Sequence, residues 1–164
     1  MIKFRHITAE DYEDVGRLMC ELHGVHAEGR PDIYSPMTEL PSFEEFCEHV
    51  TGEDRFGLCA EEGGEVIAYA LVQFRTGREG ARLKTALLSD IYVTPQARRG
   101  KIGTMLYRMA EREAREQGAV RLDLIVWDFN DEAAAFYRKM GFRTQRVIME
   151  KDITVENFER ECEK

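Results

Sequence analysis

Arg98-Arg99-Gly100-Lys101-Ile102-Gly103-Thr104 sets three cations and two glycines where a strand gives way to a helix. The strand side ends Asp90-Ile91-Tyr92-Val93, and Pro95 opens a turn. The helix side carries Ile102, Met105, Leu106, Met109 and Ala110 at the i, i+3, i+4, i+7 spacing of one apolar face. The first turn of a helix has amides without internal partners, and the macrodipole adds partial positive charge there. Glycines permit close approach, while Arg98, Arg99 and Lys101 supply full charge. That combination suits a phosphate or pyrophosphate. It equally suits a plain strand–turn–helix connector with a solvated basic turn, and this stretch alone does not separate the two.

Groups able to move protons are scattered around it. Asp90 and Ser89 lie in the strand before the loop, and His23 and His26 titrate near neutrality. Tyr137 sits on the stripe Ala133, Phe136, Tyr137, Met140 of a later helix that Asn130-Asp131 can cap. A tyrosine in such a stripe is either a core residue with a satisfied hydroxyl or an acid that stays protonated up to ~10.

The elements that must position these groups follow in order. Residues 2–7 alternate, with Ile2 and Phe4 on one face, as a short strand. Thr8 with Asp11 three residues on reads as a helix start, and Tyr12, Val15, Leu18, Met19 and Leu22 form its inner face. The pattern predicts a stop near Gly24 and a long loop from His23 to Pro41, the kind usually mobile or functional. Ser42-Phe43-Glu44-Glu45 starts a second helix, with Phe43, Phe46, Cys47 and Val50 inward. Strands over 55–61 and 66–74 flank the hairpin signal Glu62-Gly63-Gly64-Glu65. A loop over 76–80 leads to a strand over 83–93, then a helix over 101–117 stopped by Gly118. Val120, Leu122, Leu124 and Val126 alternate in a strand over 120–127, and strand, helix and strand at this spacing demand a parallel crossover. A helix from Asn130 to Gly141 and a last strand over 142–151 complete about six strands, and 154–164 is a polar tail that can be helical.

Composition sets the outer limits. At 164 residues, 43% hydrophobic and 33% charged, the chain reads as one globular domain over 1–153 plus the tail. No apolar run approaches the ~20 residues that span a bilayer. The start Met1-Ile2-Lys3-Phe4-Arg5-His6 lacks a signal peptide's apolar core. Cys20, Cys47, Cys59 and Cys162 form no CxxC pair and no ligand-spaced cluster with histidine, so reduced thiols, a cytoplasmic location and no metal are expected. Residues 1–62 hold a net charge of −10 and the rest +2. An acidic first third beside a basic loop argues against nucleic acid. It suits either a cationic acceptor meeting an anionic cofactor or simply a soluble surface.

The basic loop resembles the coenzyme A signature of the GNAT superfamily of N-acetyltransferases, Gln/Arg-x-x-Gly-x-Gly/Ala after a strand. Arg98 matches its first position and Gly103 its last, while Lys101 stands where the middle glycine usually stands. If that glycine needs positive φ, Gly100 is the neighbour able to supply part of the freedom. A second stretch, Asn130-Asp131-Glu132-Ala133-Ala134-Ala135-Phe136-Tyr137-Arg138-Lys139-Met140-Gly141-Phe142, resembles the family's Asn-x-x-Ala-x-x-Phe-Tyr-x-x-x-Gly-Phe at every named position. The resemblance covers about residues 2–151.

What the resemblance implies is an α/β (α+β) fold: a mixed, twisted sheet flanked by helices and splayed between its fourth and fifth strands. It implies acetyl-CoA in the splay, held by Ile91, Tyr92, Val93, Arg98, Arg99, Gly100, Lys101, Ile102, Gly103, Thr104, Asn130 and Phe136. Tyr137 would protonate the departing thiolate. The base is open: relatives carry carboxylates where this chain has Leu87 and Ser89, leaving Asp90, or a water chain through Ser89. Simple alternation puts Asp90 on the opposite face from those two. The segment with His23, His26, Glu28, Asp32 and Tyr34 is similar to one that walls the acceptor pocket in some members. The expected reaction is direct acetyl transfer to a primary amine of a small molecule, with no nucleic acid or membrane partner and a homodimer left open. A protein N-terminal or lysine acetyltransferase, and a non-catalytic acyl-CoA sensor, are the alternatives.

The cradle reading makes a sharp expectation. Gly103→Glu should abolish acetyl-CoA binding in calorimetry while circular dichroism is unchanged; unaltered affinity in the folded variant removes the cradle.

Overall fold

The computed structural model describes residues 1–75 and 83–153; the loop expected at 76–80 and the tail 154–164 lie outside the described residues. Two compact units, residues 1–127 and 128–164, are described separately. The first contains β1 (Ile2–His6), α1 (Tyr12–Gly29), α2 (Phe43–Val50), β2 (Thr51–Gly52), β3 (Arg55–Glu62), β4 (Glu65–Arg75), β5 (Thr85–Val93), α3 (Ile102–Glu116) and β6 (Arg121–Leu124). The second contains α4 (Asp131–Lys139).

Six strands form one mixed sheet in the order β1-β3-β4-β5-β6, with the short β2 also on β3. All pairings are antiparallel except β5 with β6, as the helical crossover requires. Helices cover both faces. Val15 and Leu18 of α1 and Phe46 and Val50 of α2 pack with Cys59, Tyr69, Leu71 and Tyr92 of the sheet. On α3 the buried stripe Ile102, Leu106, Tyr107, Ala110 and Ala114 lies along β3, β4 and β5. The hairpin between β3 and β4 turns through Gly63 and Gly64 at φ of 64° and 93°, as a tight two-residue turn needs.

Three expectations change. α1 continues past Gly24 to Gly29, so His23 and His26 stand on a helix rather than in a loop. A glycine inside a helix costs only about 1 kcal/mol, which the packed face of an 18-residue helix outweighs. Phe43 is half exposed and meets Tyr12 edge-on at 5.4 Å instead of entering the core. Residues 142–151 form no strand. A strand exists only through a partner ladder, and among the described residues of their unit the other regular element is the helix α4.

The joint between β1 and α1 is electrostatic. Arg5 donates to both carboxylate oxygens of Asp11 at 2.8 and 2.7 Å and to Glu61 of β3 at 3.0 Å. Asp11 Oδ2 also accepts from the Thr8 amide at 2.8 Å, fixing the entry into α1. The Arg5 guanidinium holds the Asp11 carboxyl below its usual range. A depressed carboxyl stabilises the fold above the unfolded value near ~4 and loses that contribution as pH falls through the folded value. Asp11→Asn should therefore cost about 1–3 kcal/mol at pH 7 in urea unfolding, and the gap from the parent should shrink toward pH 3. A constant gap across that range would show that charge is not what Asp11 contributes.

Candidate functional site

Beyond β5 the chain makes a short 3-10 turn, Pro95–Ala97, and enters α3 through exposed Arg98, Arg99 and Lys101. No side chain caps α3, so its first-turn amides stay available to an outside acceptor. By contrast, Ser42 caps α2 and Asn130 caps α4. The positive φ expected near the glycine falls on Arg99 at 69° and Lys101 at 63°, while Gly100 does not take it up. Left-handed non-glycine residues cost about 1–2 kcal/mol each, so the loop stores strain where its amides converge. Arg98 bends back, its Nε donating to the Val93 carbonyl at 3.1 Å.

The adjoining strand edge is open. β6 pairs with β5 only from Thr85↔Arg121 to Leu88↔Leu124, so β5 residues 89–93 run on without a parallel neighbour among the described residues. This is the splay expected between the fourth and fifth main strands. The strand expected over 120–127 is correspondingly short. Ile91, Tyr92 and Val93 therefore present main-chain groups toward the gap, next to the uncapped helix start.

Ser89 is the bulge of β5. Register with β4 passes from Leu88↔Val72 to Asp90↔Leu71, so one residue of β4 is matched by two of β5. Ser89 is exposed, with its Oγ donating to the Leu71 carbonyl at 3.2 Å. The bulge reverses the expected facing of Asp90. Leu87 opposes Gln73, Asp90 opposes Leu71 and Tyr92 opposes Tyr69, so all three share the face covered by α1 and α2. Burial pushes the Asp90 carboxyl above the usual carboxylate range, with His26, His49 and the Tyr69 hydroxyl pulling partly back.

Above Asp90 stands a wall of rings from α1 and the segment after it. Tyr34 packs edge-on to His23 at 5.6 Å, tilted against His26 at 5.6 Å, and edge-on to Trp127 at 5.9 Å. His23 Nε2 lies 2.7 Å from the Ser35 carbonyl. Arg30 stacks over Trp127 at 5.0 Å and grips Asp32 with both arms at 2.9 and 2.7 Å. Asp32 is thus occupied by a cation of its own chain, and Glu28 is exposed. Trp127, Arg30 and Tyr69 were not singled out by sequence reasoning. The only signal was Trp127 as the sole tryptophan at the end of an apolar strand.

In the second unit Asn130 Oδ1 accepts from the Ala133 amide at 3.1 Å, the cap expected for α4. Tyr137 is half-buried between Phe136 and Phe142, at 5.5 and 5.8 Å. Of the cysteines among the described residues, two are poor nucleophiles: burial pushes the Cys59 thiol up to about 11 and raises Cys20 as well. No group of three or more His, Cys, Asp or Glu among the described residues stands close enough to hold a metal ion.

An open strand edge leading to an uncapped, basic helix start agrees with one comparison in particular. The family model described as Acetyltransferase (GNAT) family matches residues 22–142. The chain belongs to the GNAT acetyltransferase family. A curated relative is the thialysine N-epsilon-acetyltransferase of Mus musculus, 29% identical in an alignment of length 135 that covers 67% of this chain and 76% of the relative. A solved mutant of the BH1408 protein from Bacillus halodurans superposes with a TM-score of 0.86 at 29% identity, covering 93% of this chain and 99% of that one. An aminoglycoside N-acetyltransferase solved with CoA shares the fold, with a TM-score of 0.73 at 16% identity over 94% of this acetyltransferase and 96% of the other chain.

The strained loop gives a stability test. Lys101→Gly should exceed Lys101→Val in unfolding free energy by about 1–2 kcal/mol or more, because only the first relieves the left-handed backbone. Equal stabilities in urea melts would mean that Lys101 does not hold that conformation in solution.

Proposed function

We propose that this acetyltransferase moves an acetyl group from acetyl-CoA to a primary amine of a small molecule by direct attack, with residues 1–153 acting as one domain. The observation that carries the reading is the uncovered edge of β5 over 89–93 running into the uncapped start of α3. An elongated, anionic cosubstrate fits there: its amide arm along Ile91, Tyr92 and Val93, and its pyrophosphate on the amides of Ile102, Gly103 and Thr104, between Arg98, Arg99 and Lys101 with Gly100 at the turn. Asn130 and Phe136 would complete its contacts. The family model spans both compact units, which supports treating them as one functional domain. The name of the mouse relative and the CoA complex of the structural neighbour point the same way.

The acceptor would lie against His23, His26 and Tyr34 with Asp90 beneath. Asp90 is the base in this reading. Burial raises its carboxyl, which makes it a better proton acceptor for an amine than an ordinary aspartate. Ser89, already donating to Leu71, would orient a water rather than act as base. A strand amide near Val93 would polarise the thioester carbonyl, and positioning would supply much of the rate. Tyr137 would return a proton to the thiolate. With Asp32 held by Arg30, the cationic end of the acceptor meets Asp90 as its principal carboxylate, and Glu28 adds only distant, salt-screened attraction.

Two substitutions test the assignment against a panel of amines with free-thiol detection. Asp90→Asn should lower kcat by about 10²-fold or more, with acetyl-CoA affinity unchanged. Tyr137→Phe should also lower kcat by about 10²-fold, with little change in stability. Activity should be lost as pH falls through the raised Asp90 value, because the base must be ionised. Tight acetyl-CoA binding with no turnover on any amine would favour a sensor; normal rates in both variants would remove these residues from the chemistry.

A further inference from the structure

Tyr69 lies in the middle of β4, inside the cluster of Val15, Leu18, Phe46 and Val50, and has no exposed surface. A phenylalanine ring would fill that place, and a hydroxyl buried there is unfavourable unless it donates. It donates to Asp90 Oδ2 at 3.4 Å. Across the sheet Tyr69 pairs with Tyr92 and Leu71 with Asp90, so the two side chains are diagonal neighbours on one face. Asp90 occupies that face only through the Ser89 bulge; under plain alternation the phenol would have no carboxylate to meet.

The two carboxylate oxygens therefore differ. Oδ2 is turned inward to the phenol. Among the described residues Oδ1 accepts from no donor, and no buried side-chain nitrogen or oxygen lacks a partner. Oδ1 is thus the oxygen that reaches solvent on a partly exposed Asp90. We propose that Tyr69 is a positioning residue for the base: it anchors Oδ2 in the core so that Oδ1 is the atom presented to the acceptor amine. This rests on Asp90 being the base.

Proton transfer is then one exchange at Oδ1. An N–H bond of the bound ammonium breaks, its electron pair stays on nitrogen for attack on the thioester, and an O–H bond forms on Oδ1. That O–H bond later breaks as water takes the proton, since Oδ1 is the exposed oxygen. One proton is released per acetyl group transferred, and Asp90 is ionised again for the next amine. Tyr69 gives up no proton. Burial, with the charge of Asp90, holds its phenol well above the ordinary range, so it stays a donor throughout. At 3.4 Å the contact is long for a hydroxyl and a carboxylate, and full charge on the carboxylate shortens it. A carboxylate anchored at one oxygen has less orientational freedom to lose when the amine arrives.

The groups around the pair come from four elements. Burial raises the Asp90 carboxyl, while His26 of α1, His49 of α2 and the Tyr69 hydroxyl of β4 pull it partly back. No hydrogen bond joins either histidine to it; the phenol alone has one. Cys20 of α1 and Tyr92 of β5 add to the rise of the phenol, and Glu21 of α1 accepts from the Tyr92 hydroxyl at 3.0 Å.

The test uses the full chain. Tyr69→Phe removes the hydroxyl and keeps the ring. The carboxyl carbon of Asp90, followed by NMR, should titrate about half a unit or more higher than in the parent, because a donor that favours the ionised form is gone. The acid limb of kcat/KM should move up with it and kcat should fall about 10-fold, with acetyl-CoA affinity unchanged. Val15→Ala is the packing control: it loosens the same cluster without touching the hydroxyl. It should lower the melting temperature and leave the Asp90 midpoint in place. If Tyr69→Phe does not fold, the parent supplies the reading: the hydroxyl-bearing ring carbon of Tyr69 should shift with the midpoint of Asp90. An Asp90 midpoint unmoved in folded Tyr69→Phe, or a Tyr69 carbon indifferent to it in the parent, overturns the anchor. An equal shift in Val15→Ala overturns it too, because packing alone would then account for the change. A raised midpoint with kcat and the acid limb unchanged would instead keep the anchor and remove Asp90 as the base beneath it.

Discussion

The parallel ladder between β5 and β6 closes after Leu88↔Leu124, and the features of the first unit's site trace back to that point. Strand amides and carbonyls are obligatory hydrogen-bonding groups, so an edge that stops pairing in mid-strand must be met by water or by a ligand. The Ser89 bulge sits one residue past the last parallel pair, where extra twist helps two strands diverge. The same bulge changes which face Asp90 occupies. One irregularity therefore opens a slot for an extended molecule and turns a carboxylate toward the layer of α1 and α2.

The end of the slot depends on a contrast among helices. α2 and α4 satisfy first-turn amides with Ser42 and Asn130, but α3 begins with Lys101 in a left-handed conformation and no side-chain cap. Its amphipathic stripe, from Ile102 to Ala114, is firmly buried, which anchors an otherwise unfavourable start. Packing thus offsets the strain at Arg99 and Lys101.

The acidity of the first third has a more local meaning than its net charge suggests. Asp11, Asp32 and Asp54 are each held by an arginine of the same region, and Arg17 reaches both Glu21 and Glu65. These pairs are short-ranged and screened, so they shape the fold more than they attract a distant substrate. Asp90 differs because its near neighbours are a phenol and imidazoles rather than a guanidinium.

The sequence by itself determined the order of the main elements from β1 to α4, the caps, the basic loop and the family, because these are written in local spacing; the expected strand over 142–151 was the exception. Thr8 with Asp11, Ser42 with Glu45 and Asn130 with Ala133 were legible as helix starts, since capping acts within one turn. The basic loop before α3 and the second family signature were legible for the same reason. Only the tertiary structure decided where α1 ended, because packing of its face outweighed Gly24. Only it placed the positive φ on Arg99 and Lys101 and not on Gly100. The facing of Asp90 was misread from alternation, since a bulge is a property of two strands in register and leaves no mark in one. Nor could spacing reveal that Trp127, Tyr34, His23 and His26 meet, because α1 and the end of β6 come together through a sheet whose pairings are long-range.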